Sequence, residues 1–373
     1  MSSVLWNANL PTLSSRDGPA NSVRPPSLST WKAELIPLFR GNENQDMIMK
    51  GLNGSDMLRL SFASKSLRDV VAKCRQRTFI SGLRRFIPLN QIPTFRHIQE
   101  VLGVVISGSI AIQFFDGDIY DGCDLDLYVH SVNAPLLIGW LTSIGYTLSR
   151  STRPFTLPSE GRPIAYMEHA IVKVETFTKD SRAVQVISTR NTVIETILDF
   201  SLTCAMNLIT HKEAISLYPH ATFERRECLV LDNRFISTRD TVVEKYRRHG
   251  WKIIETLDAS TRIDPKSDFY CPTGAARTRF VGDKLCWKIS LDEGSSHIGS
   301  NALQHDPLYT NSWRLSYDVG AFTSFVILKN RRLAQSYVIA IDAEVFKIVY
   351  KEVYAKCDTS LQQALSGHFS LNC

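Results

Sequence analysis

No stretch of the 373-residue chain reaches the roughly 18 consecutive apolar residues that a membrane span requires. Apolar stretches such as 101–106 have the length of buried strands instead. No two of the eight cysteines, at 74, 123, 204, 228, 271, 286, 357 and 373, lie closer than 15 residues. That spacing excludes a C-x₂-C zinc-ligand pair. There is no phosphate-binding Walker loop, no G-x-G-x-x-G fingerprint and no H-E-x-x-H helix. Residues 294–300 miss the spacing of a nucleophile elbow, and no repeat occurs at solenoid periods. The first ten residues lack the basic start and apolar segment of a secretory signal. Reduced thiols in a cytoplasmic or nuclear setting are the expectation.

Hydrophobic residues make up 44% of the chain and charged residues 21%, ordinary for a globular protein of about two domains. The balance of 43 basic and 37 acidic residues gives +6, which permits an anionic partner without demanding one.

Composition and periodicity divide the chain. Residues 1–30 are rich in Ser, Pro and Asn and read as a flexible tail. Residues 31–100 carry apolar residues at helical spacing. Residues 101–210 read as mixed α/β, with strands expected at 101–107, 124–130, 146–150, 164–178 and 182–188. Helices are expected from 110, after Asn133, at 193–198 and at 202–209. Residues 211–373 form an α+β companion region with a polar loop at 294–306, a strand near 337–341 and a helix at 343–354.

The chemistry concentrates between 104 and 130. A strand ending in Gly108-Ser109 and running into a helix offers backbone N–H groups to an anion, and Ser109 adds a hydroxyl. Further on, Asp124, Asp126 and Tyr128 share one face of a strand, while Leu125, Leu127 and Val129 share the other. Two carboxylates about 7 Å apart along a strand suit Mg²⁺ or Mn²⁺. Between 103 and 130 stand five aspartates (116, 118, 121, 124 and 126) and no Lys or Arg. A solvated acidic loop would explain part of this. Phosphates held at the glycine turn and metal held by the carboxylates would explain all of it.

This pairing of a Gly-Ser turn with an Asp-x-Asp strand resembles the nucleotidyltransferase fold of the DNA polymerase beta superfamily over residues 100–210. The resemblance implies an NTP-binding α/β domain with a mixed sheet and flanking helices. It implies that Gly108 and Ser109 hold the triphosphate and that Asp124 and Asp126 bind two divalent ions. The family adds a third carboxylate on a later strand, often the general base. Here that position is Gln185, an amide that can neither take the nucleophile's proton nor ligate a cation as strongly. Glu175 and Glu168 are the acids available as substitutes, and nucleotidyl transfer depends on one of them.

Residues 52–71 resemble the latter half of an F-box, without its Leu-Pro opening. The order of the two segments resembles uncharacterised fungal proteins. By that resemblance residues 47–77 would dock on a Skp-type ubiquitin-ligase adaptor, and the degenerate domain would recognise a client without catalysis. An ordinary helical pair packed on the α/β domain explains the same pattern. Nine Lys and Arg residues lie between 59 and 97, against Asp69 alone. Such a run serves RNA binding or is a solvated helix face. Lys245, Tyr246, Arg247, Arg248 and His249 with Trp251 form a second basic and aromatic cluster, in which Tyr246 or Trp251 would stack on a base.

Overall fold

The computed structural model describes residues 42–52, 54–120, 122–152, 170–231, 239–272, 277–291, 307–317, 320–330 and 335–339. The expected tail, the polar loop at 294–306 and the helix at 343–354 lie outside them, as do Asp121 and Glu168. The chain divides into residues 1–45 and 46–373, and the account that follows concerns the second unit.

The N-terminal region is helical, as expected, with α1 (Asn42–Lys50), α2 (Gly54–Ala63), α3 (Lys65–Arg84) and α4 (Ile92–Leu102). Ser64 starts α3 by accepting a hydrogen bond from the Leu67 N–H, a cap typically worth about 1 kcal/mol. Gly103, at φ +65°, stops α4 in the left-handed conformation that glycine adopts without penalty. The expected strand from residue 101 is therefore corrected. Val101 is exposed in the last turn of α4, and β1 spans only Val105–Ser107.

There follow α5 (Gly108–Asp116), β2 (Leu125–His130), α6 (Ala134–Ser143), β3 (Thr147–Thr152), β4 (Ile171–Lys179), β5 (Arg182–Thr189) and α7 (Val193–Leu198). The expected helix at 202–209 is a single turn at Thr203–Ala205 followed by β6 (Asn207–Ile209). A short apolar run fits either structure, and pairing of Ile209 with Ile106 of β1 selects the strand. The remaining elements are β7 (Glu213–Ser216), β8 (Glu227–Leu229), α8 (Arg239–Arg248), β9 (Lys252–Ile254), α9 (Ala259–Ile263), β10 (Thr278–Phe280), β11 (Trp287–Ser290), β12 (Ser312–Tyr317), β13 (Ala321–Ser324), β14 (Val326–Asn330) and β15 (Gln335–Ile339).

Eight strands form one mixed sheet in the order β11-β7-β6-β1-β2-β5-β4-β3. The β2–β5 pair is parallel and the other pairs are antiparallel. The division expected at residue 210 falls between β6 and β7, which pair with each other, so the sheet runs through it.

Register sorts the side chains into two faces. Val105 opposes Tyr128, Ser107 opposes Asp126, and Asp126 in turn lies beside Gln185. On the other face Ile106 opposes Leu127, which neighbours Val186. That second face lies in a core with Leu83, Phe115, Leu137 and Leu141. Val105, on the first face, belongs to another core with Ile194, Ile197, Tyr218 and Trp313. On the first face Ser107, Asp126 and Gln185 stand side by side at the end where α5 begins.

The N-terminal helices dock on α5. Arg75 of α3 is buried and donates to the Phe114 carbonyl at 2.5 Å. A Cβ on Gly54 would lie 2.1 Å from the Phe115 carbonyl oxygen, so only glycine permits that approach. Ser55 and Arg59 of α2 bind Glu224 at 2.6 and 3.0 Å.

Candidate functional site

The turn between β1 and α5 forms the floor of the site. Gly108 has φ +68°, and a Cβ there would lie 2.1 Å from Asp126 Oδ2. Both the conformation and the contact require glycine. Ser107 occupies the N-cap position of α5 but gives no side-chain cap. Its hydroxyl donates instead to the Asn207 carbonyl at 2.6 Å. The first-turn N–H groups of α5 therefore lack a side-chain cap beside Asp126, and the dipole there is positive.

Asp124 and Asp126 rise from the start of β2, both half-buried. Burial pushes the Asp126 carboxyl up to about 7, the negative charge of Asp124 adds to the rise, and Lys245 partly offsets it. Gln185 stands beside Asp126 in the parallel β2–β5 register. Its amide donates to Asp124 Oδ2 at 2.6 Å. The third position of the carboxylate face is thus a hydrogen-bond donor that fixes Asp124.

Glu175 does not replace it. The β4–β5 register pairs Glu175 with Val186, whereas Thr176 pairs with Gln185. Side chains alternate along a strand, so Glu175 lies on the face opposite Asp126. It is buried there, with Lys173 Nζ at 2.5 Å from its carboxylate. The expectation that Glu175 supplies the third carboxylate is corrected, and Glu168 lies outside the described residues.

Lys245 completes the arrangement. Its ammonium, carried by α8, donates to Ser109 Oγ at 2.9 Å. The sequence signals a basic cluster at 245–251, but nothing in the spacing links Lys245 to Ser109, 136 residues away. Tyr246 and Trp251 are buried, with ring centroids 5.8 Å apart and nearly perpendicular. They anchor α8 and are not available for stacking on a base.

The structure also separates the aspartates of the acidic stretch. Asp116 accepts from Arg226 at 2.8 Å and from the Tyr120 hydroxyl at 2.9 Å, and Asp118 lies 3.7 Å from Arg226. Those two share Arg226, whereas Asp126 faces the glycine turn with Asp124 as its charged neighbour. Among the described residues no group of three or more His, Cys, Asp or Glu side chains is placed to hold a metal ion. Two carboxylates are donor chemistry that suits Mg²⁺ or Mn²⁺, since Mg²⁺ is commonly held by one or two carboxylates together with phosphate oxygens and water.

In the expected adaptor segment, Met57, Val71 and Cys74 are buried and Phe62 is exposed. No helix among the described residues is long and apolar enough to cross a membrane. No protein-family model and no curated protein matches the chain.

Proposed function

We propose that the protein is a divergent nucleotidyltransferase-fold protein that binds a nucleoside triphosphate with its divalent cation. Gly108 and Ser109 would receive the phosphates at the start of α5, with Lys245 turning from the Ser109 hydroxyl to a phosphate oxygen. Asp124 and Asp126 would hold Mg²⁺ or Mn²⁺, which supplies charge neutralisation for the triphosphate. The observation that supports this reading is the close approach of the Gly108 turn to Asp126, which sets the start of α5, a place where anions are commonly held, beside a carboxylate.

Binding, rather than turnover, is the function proposed. Gln185 offers an amide donor where a general base would be needed, and Glu175 lies on the other face. The adaptor reading of residues 47–77 has less support, because Met49, Met57, Val71 and Cys74 of that segment are engaged within the chain and the large exposed apolar residues described there are Met47 and Phe62.

Calorimetric titration with the four common NTPs and Mn²⁺ tests the proposal. Wild type is expected to bind at least one nucleotide only when Mn²⁺ is present, and Asp124→Asn/Asp126→Asn to bind none. A folded wild type that binds none of them, or a double variant that binds as well as wild type, would overturn it.

A further inference from the structure

Two cysteines that the nucleotide site does not use, Cys204 and Cys228, are both fully buried. Cys204 lies in the turn that leads into β6, and Cys228 is the middle residue of β8. The two segments run antiparallel. Leu202 bridges Val230, the Leu231 N–H donates to the Ser201 carbonyl at 2.8 Å, and the Leu229 N–H donates to Thr203 Oγ1 at 2.9 Å. Two residues beyond the Leu202–Val230 bridge, that register sets Cys204 opposite Cys228. The side chains meet there, and the Cys204 thiol shares a hydrogen bond with the Cys228 sulfur.

Opposed residues of antiparallel segments stand about 4.5–5.5 Å apart between Cα atoms, within the roughly 4.4–6.8 Å that a disulfide spans. Other sulfurs have different neighbours. Cys74 accepts from Arg77, Cys123 from Arg85 and Gln113, and Cys286 from Arg279. Burial pushes the Cys204 thiol up, and the hydrogen bond with Cys228 adds to the rise. In the closed fold the pair is therefore protonated and shielded from bulky thiol reagents. β8 belongs to a two-stranded sheet with β9. Local opening of so small a unit admits a water-sized oxidant to Cys228 while the eight-stranded sheet stays folded.

We propose that Cys204 and Cys228 are an oxidation site, at which hydrogen peroxide closes an intramolecular disulfide between β8 and the turn before β6. The Cys228 sulfur, having lost its proton to solvent, attacks one peroxide oxygen, and the O–O bond breaks. The departing hydroxide takes up a proton and leaves as water, and Cys228 is then a sulfenic acid. The Cys204 sulfur attacks the sulfenic sulfur, the S–O bond breaks, and that oxygen leaves with the Cys204 proton as a second water. Two thiols are oxidised to one disulfide while the peroxide is reduced to two waters. The inference does not depend on nucleotide binding at Gly108 and Ser109, and its test is read without NTP or metal.

The folded, fully reduced full-length chain would be treated with hydrogen peroxide, quenched with catalase, and unfolded in guanidinium containing N-ethylmaleimide. It would then be digested without reduction and mapped by mass spectrometry. The expected product is a cross-linked peptide joining Cys204 to Cys228, with a matching loss of both maleimide-labelled peptides. Dithiothreitol before the digest is expected to restore the two separate peptides. The same treatment of the chain in urea, where the register is lost, is expected to give mixed pairings. Maleimide on both residues after peroxide, linkage of either to another cysteine in the folded chain, or the same exclusive pairing in urea would overturn the inference.

Discussion

Two acids in the central sheet experience opposite surroundings. Asp126 faces the Gly108 turn with Asp124 as its neighbour, and burial together with that like charge raises its carboxyl to about 7. Glu175, on the opposite face, is buried beside Val186 with Lys173 at 2.5 Å. The acid with its own cation belongs to the architecture. The acid crowded by another acid, beside an uncapped helix start, has unmet electrostatic demand, and such groups cluster at functional sites. Burial alone therefore does not distinguish a site carboxylate. The match between its charge and its neighbours does.

The sharpest way to break this contrast is at its tightest contact. Gly108→Ala forces a left-handed alanine onto Asp126, and urea unfolding is expected to reveal a loss of about 3 kcal/mol together with loss of nucleotide binding. Gly117→Ala, at φ +90° with open space around its Cβ, is expected to cost only about 1 kcal/mol. Equal losses would remove any special role for the Gly108 turn.

The pH dependence separates the faces next. The Asp126 carboxyl titrates near 7 in the folded protein but near 3.9 in the unfolded chain. The folded state therefore retains a proton that the unfolded state releases. Its contribution to stability falls as pH rises from about 4 to about 7 and stays level above that. Asp126→Asn is expected to flatten this part of the stability profile, measured by urea midpoints across pH, and an unchanged profile would place the titration elsewhere.

Smaller effects sharpen the comparison. Lys245→Met is expected to weaken Mn²⁺–NTP binding about tenfold, the loss of one charge-assisted contact, with an unchanged melting temperature. Lys173→Met is expected to cost about 1 kcal/mol of stability, since this lysine is partly exposed. Calorimetry should find its nucleotide affinity unaltered. A parallel fall in affinity would mean that the two faces are not independent.

The local grammar of the site is legible in the sequence. Gly108-Ser109, the alternation of Asp124 and Asp126, and the amide at Gln185 all follow from strand periodicity and short-range turns. What the sequence hides is set by long-range pairing. The face of Glu175 depends on the β4–β5 register, where a shift of one residue exchanges the faces. Residues 207–209 are a strand because β1 offers an unpaired edge, and Lys245 reaches Ser109 only once α8 has packed through Tyr246. The acidic stretch looks uniform in the sequence, yet Arg226, far along the chain, takes Asp116 and Asp118, while Asp126 lies against the glycine turn and Asp124 accepts from Gln185.

Affinity cleavage by a bound redox-active ion tests the central claim most directly. Fe²⁺ would replace Mn²⁺ in the presence of NTP, ascorbate and peroxide would generate hydroxyl radicals at the ion, and backbone cuts would be mapped by mass spectrometry. The account predicts cuts clustered at residues 107–110 and 124–128 that require nucleotide and vanish in Asp124→Asn/Asp126→Asn. Cuts clustered elsewhere, or the same cuts in the double variant, would contradict it.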